Sequence, residues 1–580
     1  MARALDHQQA TVIVNALADS LTPGDLLWVT SAASSVEQHS SQPLSSPQEG
    51  RGALDEWLRG RPQGGPGALA AAVDGARVVV LEKAGVLGGT TAMSSAGTWV
   101  PANHHMKAAG LEDSPEETLT YIRATAPHGW QKDEDELWRA LAENSAPMLR
   151  FLEDRTPLRF ELVNHPDFYV EAPGGKIFGR MVSPTVISKF LLGRLWNKVR
   201  PSVKPQYFTY KEMIGGILKD PWKAGVRMGH KLIWRFLMQK VGLGNGLIVG
   251  LLRGCLDHGC RIFTDADVKK LLIDGGVVTG VESVIAGKPC SIRARKGVVL
   301  ATGGFDWAPD YMPKYFPGIQ QIGAPRSNTG DGQRMAAEAG AELARMDQAN
   351  IAPVTFTQYE GHRHAQPLYE TFTGHCILVN RHGERFVSEG AAGLGVAMDE
   401  RGPDGKPKHL PVWRIYDSQY RHKLSEMHTR RDPEFVRSAP TLEALAEKIG
   451  LDPKKLAATV ERFNGWSREG VDRDFHRGET AWERYYTGDP KKGAALKPLE
   501  KPPFFASPFL YVSLGTKGGP RTNERCEVLR PDKSVIAGLY CAGIAMAHPI
   551  GTKAVGAGTT IGPCLTFGYI AGKAVGRRNT

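Results

Sequence analysis

Glu82 closes the apolar run V-V-V-L that starts at Val78, and it is followed by Lys83 and then by Gly88, Gly89, Thr90, Thr91, Ser94 and Ser95. A carboxylate at the carboxyl end of a buried parallel strand can accept hydrogen bonds from ribose hydroxyls. Glycines and small hydroxyl residues just beyond it let backbone N–H groups approach a flat or anionic ligand. The same chemistry recurs along the chain. Ala301, Thr302, Gly303 and Gly304 end the apolar stretch from Gly297, and Gly543 ends G-L-Y-C-A-G from Gly538. Gly556, Gly558, Thr559 and Thr560 precede an apolar helical stretch from Ile561 to Val575. The amino end of such a helix offers unpaired N–H groups and the positive end of the helix dipole. It would stabilise the negative charge that develops on a flavin ring accepting hydride.

Several elements must position these residues. Gly75–Lys83 and Gly297–Phe305 read as strands buried on both faces, because their apolar residues run on without alternation. Arg261–Val281 alternates like a hairpin, with Asp274, Gly275 and Gly276 as its turn. Gly538–Gly543 is a third buried strand. Upstream, Thr11–Ala16 and Asp25–Ala32 each have strand character, whereas Ser34–Gly52 is rich in Ser, Gln and Pro and reads as disordered.

With 580 residues the chain exceeds one hydrophobic core and should hold several domains. Its composition, 41% hydrophobic and 23% charged, is that of a globular protein, and no apolar run is long enough to span a bilayer. The seven cysteines never form C-x-x-C, so neither a disulfide framework nor a thiolate metal site is expected, and no metal is predicted. The first residues lack a secretory pattern, and a cytoplasmic location is expected. The net charge of +11 is concentrated between Lys176 and Lys240, where fourteen basic residues face only Glu212 and Asp220. Trp196, Trp222 and Trp234 share that window. It reads as a helical excursion facing water, with peripheral contact to anionic lipid as its functional alternative. No groove-reading motif accompanies the charge, so no nucleic-acid partner is expected.

The ordered motifs resemble the flavoprotein subunit family of succinate dehydrogenase and fumarate reductase, and within it the 3-ketosteroid Δ1-dehydrogenases. The carriers are V-V-V-L-E-K-A-G-V-L-G-G-T-T-A-M-S from Val78, D-F-Y-V-E-A-P-G-G from Asp167, V-V-L-A-T-G-G-F from Val298 and N-T-G-D-G from Asn328. The series continues with I-L-V-N-R-H-G-E-R-F-V-S-E from Ile377, G-T-K-G-G from Gly515, G-L-Y-C-A-G from Gly538 and G-A-G-T-T-I-G-P from Gly556. The resemblance implies an α/β fold with a discontinuous Rossmann-like FAD-binding domain, residues 64–325 and 497–580. An α+β catalytic cap, 326–496, is inserted in it and 176–240 is an excursion from it; residues 1–63, where the chain departs from the family, read as an atypical, disordered leading segment. It implies that Glu82 and Lys83 meet the adenosine end, that Gly88–Ser95 line the pyrophosphate and ring, and that Val268 meets adenine through its backbone. Ala301–Gly304 would add cofactor contacts, Gly543, Thr560 and Ile561 would flank the ring, and the N–H of Gly558 would polarise a substrate carbonyl.

The chain departs from this family in three places. The opening G-x-G-x-x-G loop is missing, since Gly64, Gly65 and Gly67 surround Pro66 without forming it. A tyrosine expected four residues before Gly558 is Ala554, and a second, expected about seven residues after Phe386, is Gly393. Lys553, His548 and Tyr169 remain as catalytic candidates, with His375 and Tyr359 behind them. The expected activity is FAD-dependent dehydrogenation, or reduction, of a carbon–carbon bond beside a carbonyl in a small hydrophobic substrate such as a 3-ketosteroid. The electron acceptor is not readable. The alternatives are a fumarate-reductase-like reductase of an unsaturated acid, with Lys553 holding the carboxylate, and a cofactor-poor remnant that binds lipid or a hydrophobic ligand.

Overall fold

The computed structural model describes residues 24–30, 65–217, 221–352, 354–367, 374–420, 435–487 and 495–578. Its largest sheet has eight strands: β1 (Gly24–Thr30), β2 (Val78–Glu82), β3 (Arg261–Phe263), β4 (Ala266–Asp274), β5 (Val277–Ile285), β6 (Lys288–Leu300), β7 (Glu527–Leu529) and β8 (Val535–Cys541). In space the order is β7-β8-β6-β1-β2-β3, with β5 and β4 hanging from the long strand β6. The neighbours from β8 to β3 run parallel, as expected of strands buried on both faces. Every residue of β2 is buried. The hairpin turn predicted at Asp274–Gly276 joins β4 to β5, where Asp274 pairs with Val277.

Helices cover this sheet. α1 (Pro66–Val73) and α2 (Ile561–Gly576) pack so closely that a Cβ on Gly572 would fall 2.2 Å from the Gly67 carbonyl oxygen. The helix Leu243–Asp257 presses as tightly on the small-residue turn after β2, since a Cβ on Gly244 would lie 2.1 Å from the Thr91 carbonyl oxygen.

Two sequence expectations are corrected here. The leading segment 1–63 does not stand apart from the cofactor domain, because its Gly24–Thr30 is the strand between β6 and β2. Leu27 pairs with Val298 on one side and Val79 on the other, and without that strand two apolar strands would meet at an unpaired edge inside the sheet. This is the stretch Asp25–Ala32 to which the sequence gives strand character. Thr11–Ala16 and Ser34–Gly52 lie outside the described residues. The cap does not end at 496 either. Its antiparallel sheet runs Cys376–Val379, Val412–Asp417, Phe504–Phe509, Arg437–Ala439, so Phe504–Phe509 is hydrogen-bonded into the cap rather than into the cofactor domain. Helices Leu442–Ile449 and Pro453–Glu469 bury Leu445, Leu456 and Phe463 against this sheet, which makes the cap α+β as expected.

The basic window is largely helical, with a 3-10 stretch Lys189–Lys198 and a helix Pro221–Leu237. It also supplies the buried strand Met181–Pro184, which pairs with Thr98–Trp99. Among the described residues, no helix is long and apolar enough to cross a membrane.

Candidate active site

The carboxyl ends of the parallel strands line up at one edge: Thr30 pairs with Glu82, Val29 with Leu300, and Leu300 with Cys541. Ligands of open α/β sheets bind beyond that edge. A cleft of about 240 Å³ lies there, lined by Glu82, Gly88–Thr91, Ala301, Gly303 and Gly543. Gly65 and Pro66, at the start of α1, face the same cleft, as do Ile248 and Leu252. Glu82 is 4% exposed, and its Oε1 accepts the N–H of Ala84 at 3.0 Å. Gly88 has φ +102°, and a Cβ there would fall 2.9 Å from that of Ala92, so the turn requires glycine.

Not every expected contact reaches this cleft. The Lys83 amine bonds Asp331 at 2.8 Å and Thr329 at 3.0 Å, outside the lining. Thr302 and Gly304 stand behind the wall: a Cβ on Gly332 would meet the Thr302 hydroxyl, and one on Gly304 would meet that of Thr516, each within 2.3 Å. Val268 is buried in β4 and does not line the cleft.

A second cavity of about 390 Å³ adjoins the first, and Thr90, Thr91, Ile544 and Cys564 line both. Phe168, Met181, Leu514 and Ile561 make it mainly apolar, while Lys204, Tyr210, Asn350 and His364 add polar groups. Ser94, Ser95, Gly558 and Thr560 also face it. Ser94 Oγ donates to the Thr91 carbonyl at 2.7 Å, and Lys204 Nζ donates to Ser95 Oγ at 2.5 Å. Burial pushes the pKa of His364 down to about 4, so the ring is neutral.

Gly558 sits just before α2 with φ +89°, and a Cβ there would lie 2.7 Å from both the Gly97 carbonyl oxygen and the Trp99 nitrogen. The Trp99 N–H donates to the Gly558 carbonyl at 3.3 Å, and its indole N–H donates to Asp167 at 2.9 Å. Asp167 is held in turn by Arg180 at 2.9 Å, which also pairs with Asp113 at 2.7 Å. This buried chain of charges fixes the strand on which Gly558 rests.

The structure brings Lys553 and Tyr169 together but not into the cavity lining. The Lys553 amine lies 5.2 Å from the centre of the Tyr169 ring. Burial lowers the pKa of Lys553 and pushes the Tyr169 phenol up to about 12. Ala554 faces the cavity, whereas a Cβ on Gly393 would lie 3.5 Å from the Tyr169 hydroxyl. Tyr169 therefore approaches the space that a side chain at 393 would take. His548 is fully buried, with Nδ1 2.7 Å from the Ile550 carbonyl oxygen, outside both linings. Burial holds its pKa near about 3, which suits a packed neutral ring and not a proton relay. Its neighbour Lys517, missed in the sequence reading, is also buried, with Nζ donating to the Gly551 carbonyl at 2.8 Å and a pKa lowered by burial to about 8. Lys204, Tyr210, Asn350 and His364 were missed too. They lie in stretches of unrelated pattern, and nothing in their spacing signals a shared wall.

Residues 64–561 match the family described as FAD binding domain. The chain belongs to this FAD-binding family. It is 35% identical over 540 residues to 4-oxocyclohexanecarboxylate 2-dehydrogenase of Sinomonas cyclohexanicum, covering 88% of this chain and 91% of that one. It is 34% identical over 550 residues to 3-oxosteroid 1-dehydrogenase of Mycobacterium tuberculosis, covering 87% and 94%. The crystal structure of 3-ketosteroid delta1-dehydrogenase from Sterolibacterium denitrificans in complex with 1,4-androstadiene-3,17-dione superposes with TM-score 0.80 at 29% identity, covering 95% and 99%. The resemblance read from the motifs is thus met, and the cofactor is FAD. The residues present fit it: a buried acid ends β2, and the glycine cradle beyond is one that a Cβ would fill.

Proposed function

We propose that this FAD-binding protein dehydrogenates the α,β carbon–carbon bond of a cyclic ketone. The observation that carries the reading is the apolar cavity that opens on Gly558 and shares a wall with the cofactor cleft. Bound FAD supplies a two-electron acceptor for the hydride. The protein's own groups do the rest. Backbone N–H donors at Gly558 and the start of α2 would stabilise negative charge on the ketone oxygen as the α-proton passes to a base in the cavity wall, for which the neutral ring of His364 is the candidate. Phe168, Met181 and Leu514 hold the ring and exclude water. Lys553, beside Tyr169, adds positive potential from outside the wall. The test is product analysis with a 3-ketosteroid, and with 4-oxocyclohexanecarboxylate, and an artificial electron acceptor: a product lighter by two hydrogens is expected, and ketone unchanged in both cases would refute the reading.

Lys204 favours a second substrate shape. Its ammonium lies in the cavity wall, where it would pair with a carboxylate of a ketone substrate bound there. A 4-oxocyclohexanecarboxylate, the compound for which the Sinomonas relative is named, carries both groups. A Lys204→Met protein that loses the acid substrate while keeping a neutral ketone would establish this reading, and equal loss of both would reject it.

We also propose that the helix Pro221–Leu237 meets anionic lipid. Val226, Ile233, Trp234, Phe236 and Leu237 are exposed on it beside exposed Arg227 and Lys231, and Phe190 is 68% exposed nearby. Amphipathic basic helices with bare aromatics bind such surfaces. Sedimentation with anionic but not neutral vesicles is the expected outcome, lost in Trp234→Ser/Phe236→Ser.

A further inference from the structure

We propose that His104, His105 and Glu153 form a binding site for one exchangeable divalent transition-metal ion. The two histidines open the helix His104–Ala108, and Glu153 lies in the last turn of the helix Gln131–Arg155. His104 Nε2 is 2.6 Å from one Glu153 oxygen, and His105 Nε2 is 3.2 Å from the carboxylate. One ligand atom from each of the three residues lies within 4.8 Å of the other two. Donors that share a metal at about 2.0–2.2 Å stand a little over 3 Å apart. The His105 distance already suits that geometry, and the His104 distance needs to open by about half an ångström.

Two features hold the donors in place. The Asn103 side chain caps the short helix by accepting the Met106 N–H at 3.1 Å, and it donates to the carbonyls of Val100 at 2.7 Å and Gly179 at 3.0 Å. Glu153 accepts the Phe160 N–H at 2.8 Å. The carboxylate and both imidazoles are each partly exposed, so an ion can enter and keep water on its open side.

The donor set selects the ion. Two imidazoles and one carboxylate suit Zn²⁺, Co²⁺, Ni²⁺ or Cu²⁺, whereas Mg²⁺ and Ca²⁺ want an oxygen cage. Arg150 lies near enough to His104 to oppose added positive charge. Nδ1 of His104 is buried without a hydrogen-bond partner, so the ligand lacks the outer acceptor that tightens resident sites. Both features set an exchangeable ion apart from a permanent one. The site also has leverage. Five and six residues upstream of the ligand His105, the chain passes Val100 and Trp99, and the Trp99 N–H bonds Gly558, so an ion tying this segment to the long helix would steady the ketone end of the cavity.

The test uses the full-length FAD-loaded protein after treatment with a chelator. Titration with Co²⁺ should give one equivalent of bound ion with visible ligand-field bands, and Zn²⁺ should displace it and raise the unfolding temperature. In His105→Ala the affinity should fall at least about tenfold, and in His104→Ala/His105→Ala the bands should vanish. His128→Ala, at an exposed histidine elsewhere, should bind as the parent does. Glu153→Gln is a weaker probe because that side chain also supports Phe160. A featureless Co²⁺ titration of the parent, or undiminished stoichiometric binding by the double variant, would overturn the proposal.

Discussion

The cleft beyond β2 and the cavity beside it differ in how they are built. The cleft lies at the strand ends, with Glu82 and the glycine turn on one side and Ile248, Leu251 and Leu252 of the helix Leu243–Asp257 also lining it, so sheet topology largely fixes its position. The cavity is walled by side chains from many separate stretches, Phe168, Lys204, Asn350, His364 and Leu514 among them, and only the folded chain brings these together. The first region is generic and serves the cofactor. The second is individual and, under the proposed reading, decides the substrate.

Replacing Gly558 should separate the two regions most sharply. In Gly558→Ala the new methyl meets backbone atoms at 2.7 Å in a left-handed conformation, and the donor near the ketone oxygen moves. Turnover should fall by about 10²–10³, while flavin content, measured spectrally, stays at one per chain. Loss of flavin along with turnover would show that the two regions are not separable at this point.

Beneath the wall they share lies Lys517, whose burial gives a test with a definite sign. Its folded pKa of about 8 lies below the ordinary lysine value, so between these values the unfolded chain holds more protons than the folded one. Stability should therefore rise with pH from about 8 upward, by on the order of 3 kcal/mol in full. Denaturant unfolding at several pH values should show this gain in the parent relative to Lys517→Met, and a pH-independent difference would contradict it. Glu82→Ala bears on the cleft alone. It should weaken FAD binding by about 10–100-fold, the cost of hydrogen bonds to a charged group, with near-parental turnover at saturating FAD. Lys553→Met should have the smallest effect, a few-fold loss in kcat, because the amine stands outside the cavity wall. A loss as large as that of Gly558→Ala would move Lys553 into direct contact with substrate.

The contrast explains what the sequence could reveal. Val78–Leu81, Val298–Leu300 and Leu539–Cys541 are uninterrupted apolar runs because they are covered on both faces, and that local signal names the strands and the glycines after them. Gly24–Thr30 carries the same signal, but the residues from 31 to 64 separate it from α1, and no fingerprint remains to tie the two. A domain boundary at 496 puts Phe504–Phe509 with the cofactor domain, although it pairs into the cap, because strand pairing is a long-range choice that a local pattern does not record. His548 and Lys553 lie near Gly558 in sequence, but burial and side-chain direction place both outside the cavity. Lys204 and His364 have no local signature, since their importance comes only from the wall they share.

Anaerobic mixing of the FAD-loaded protein with a cyclic ketone, followed in the flavin's visible band, tests the central claim most directly. Bleaching by the saturated ketone, with the α,β-unsaturated ketone as product, is the predicted result. A band that stays unchanged, with the chemically reduced protein reoxidised only by an unsaturated acid, would contradict it.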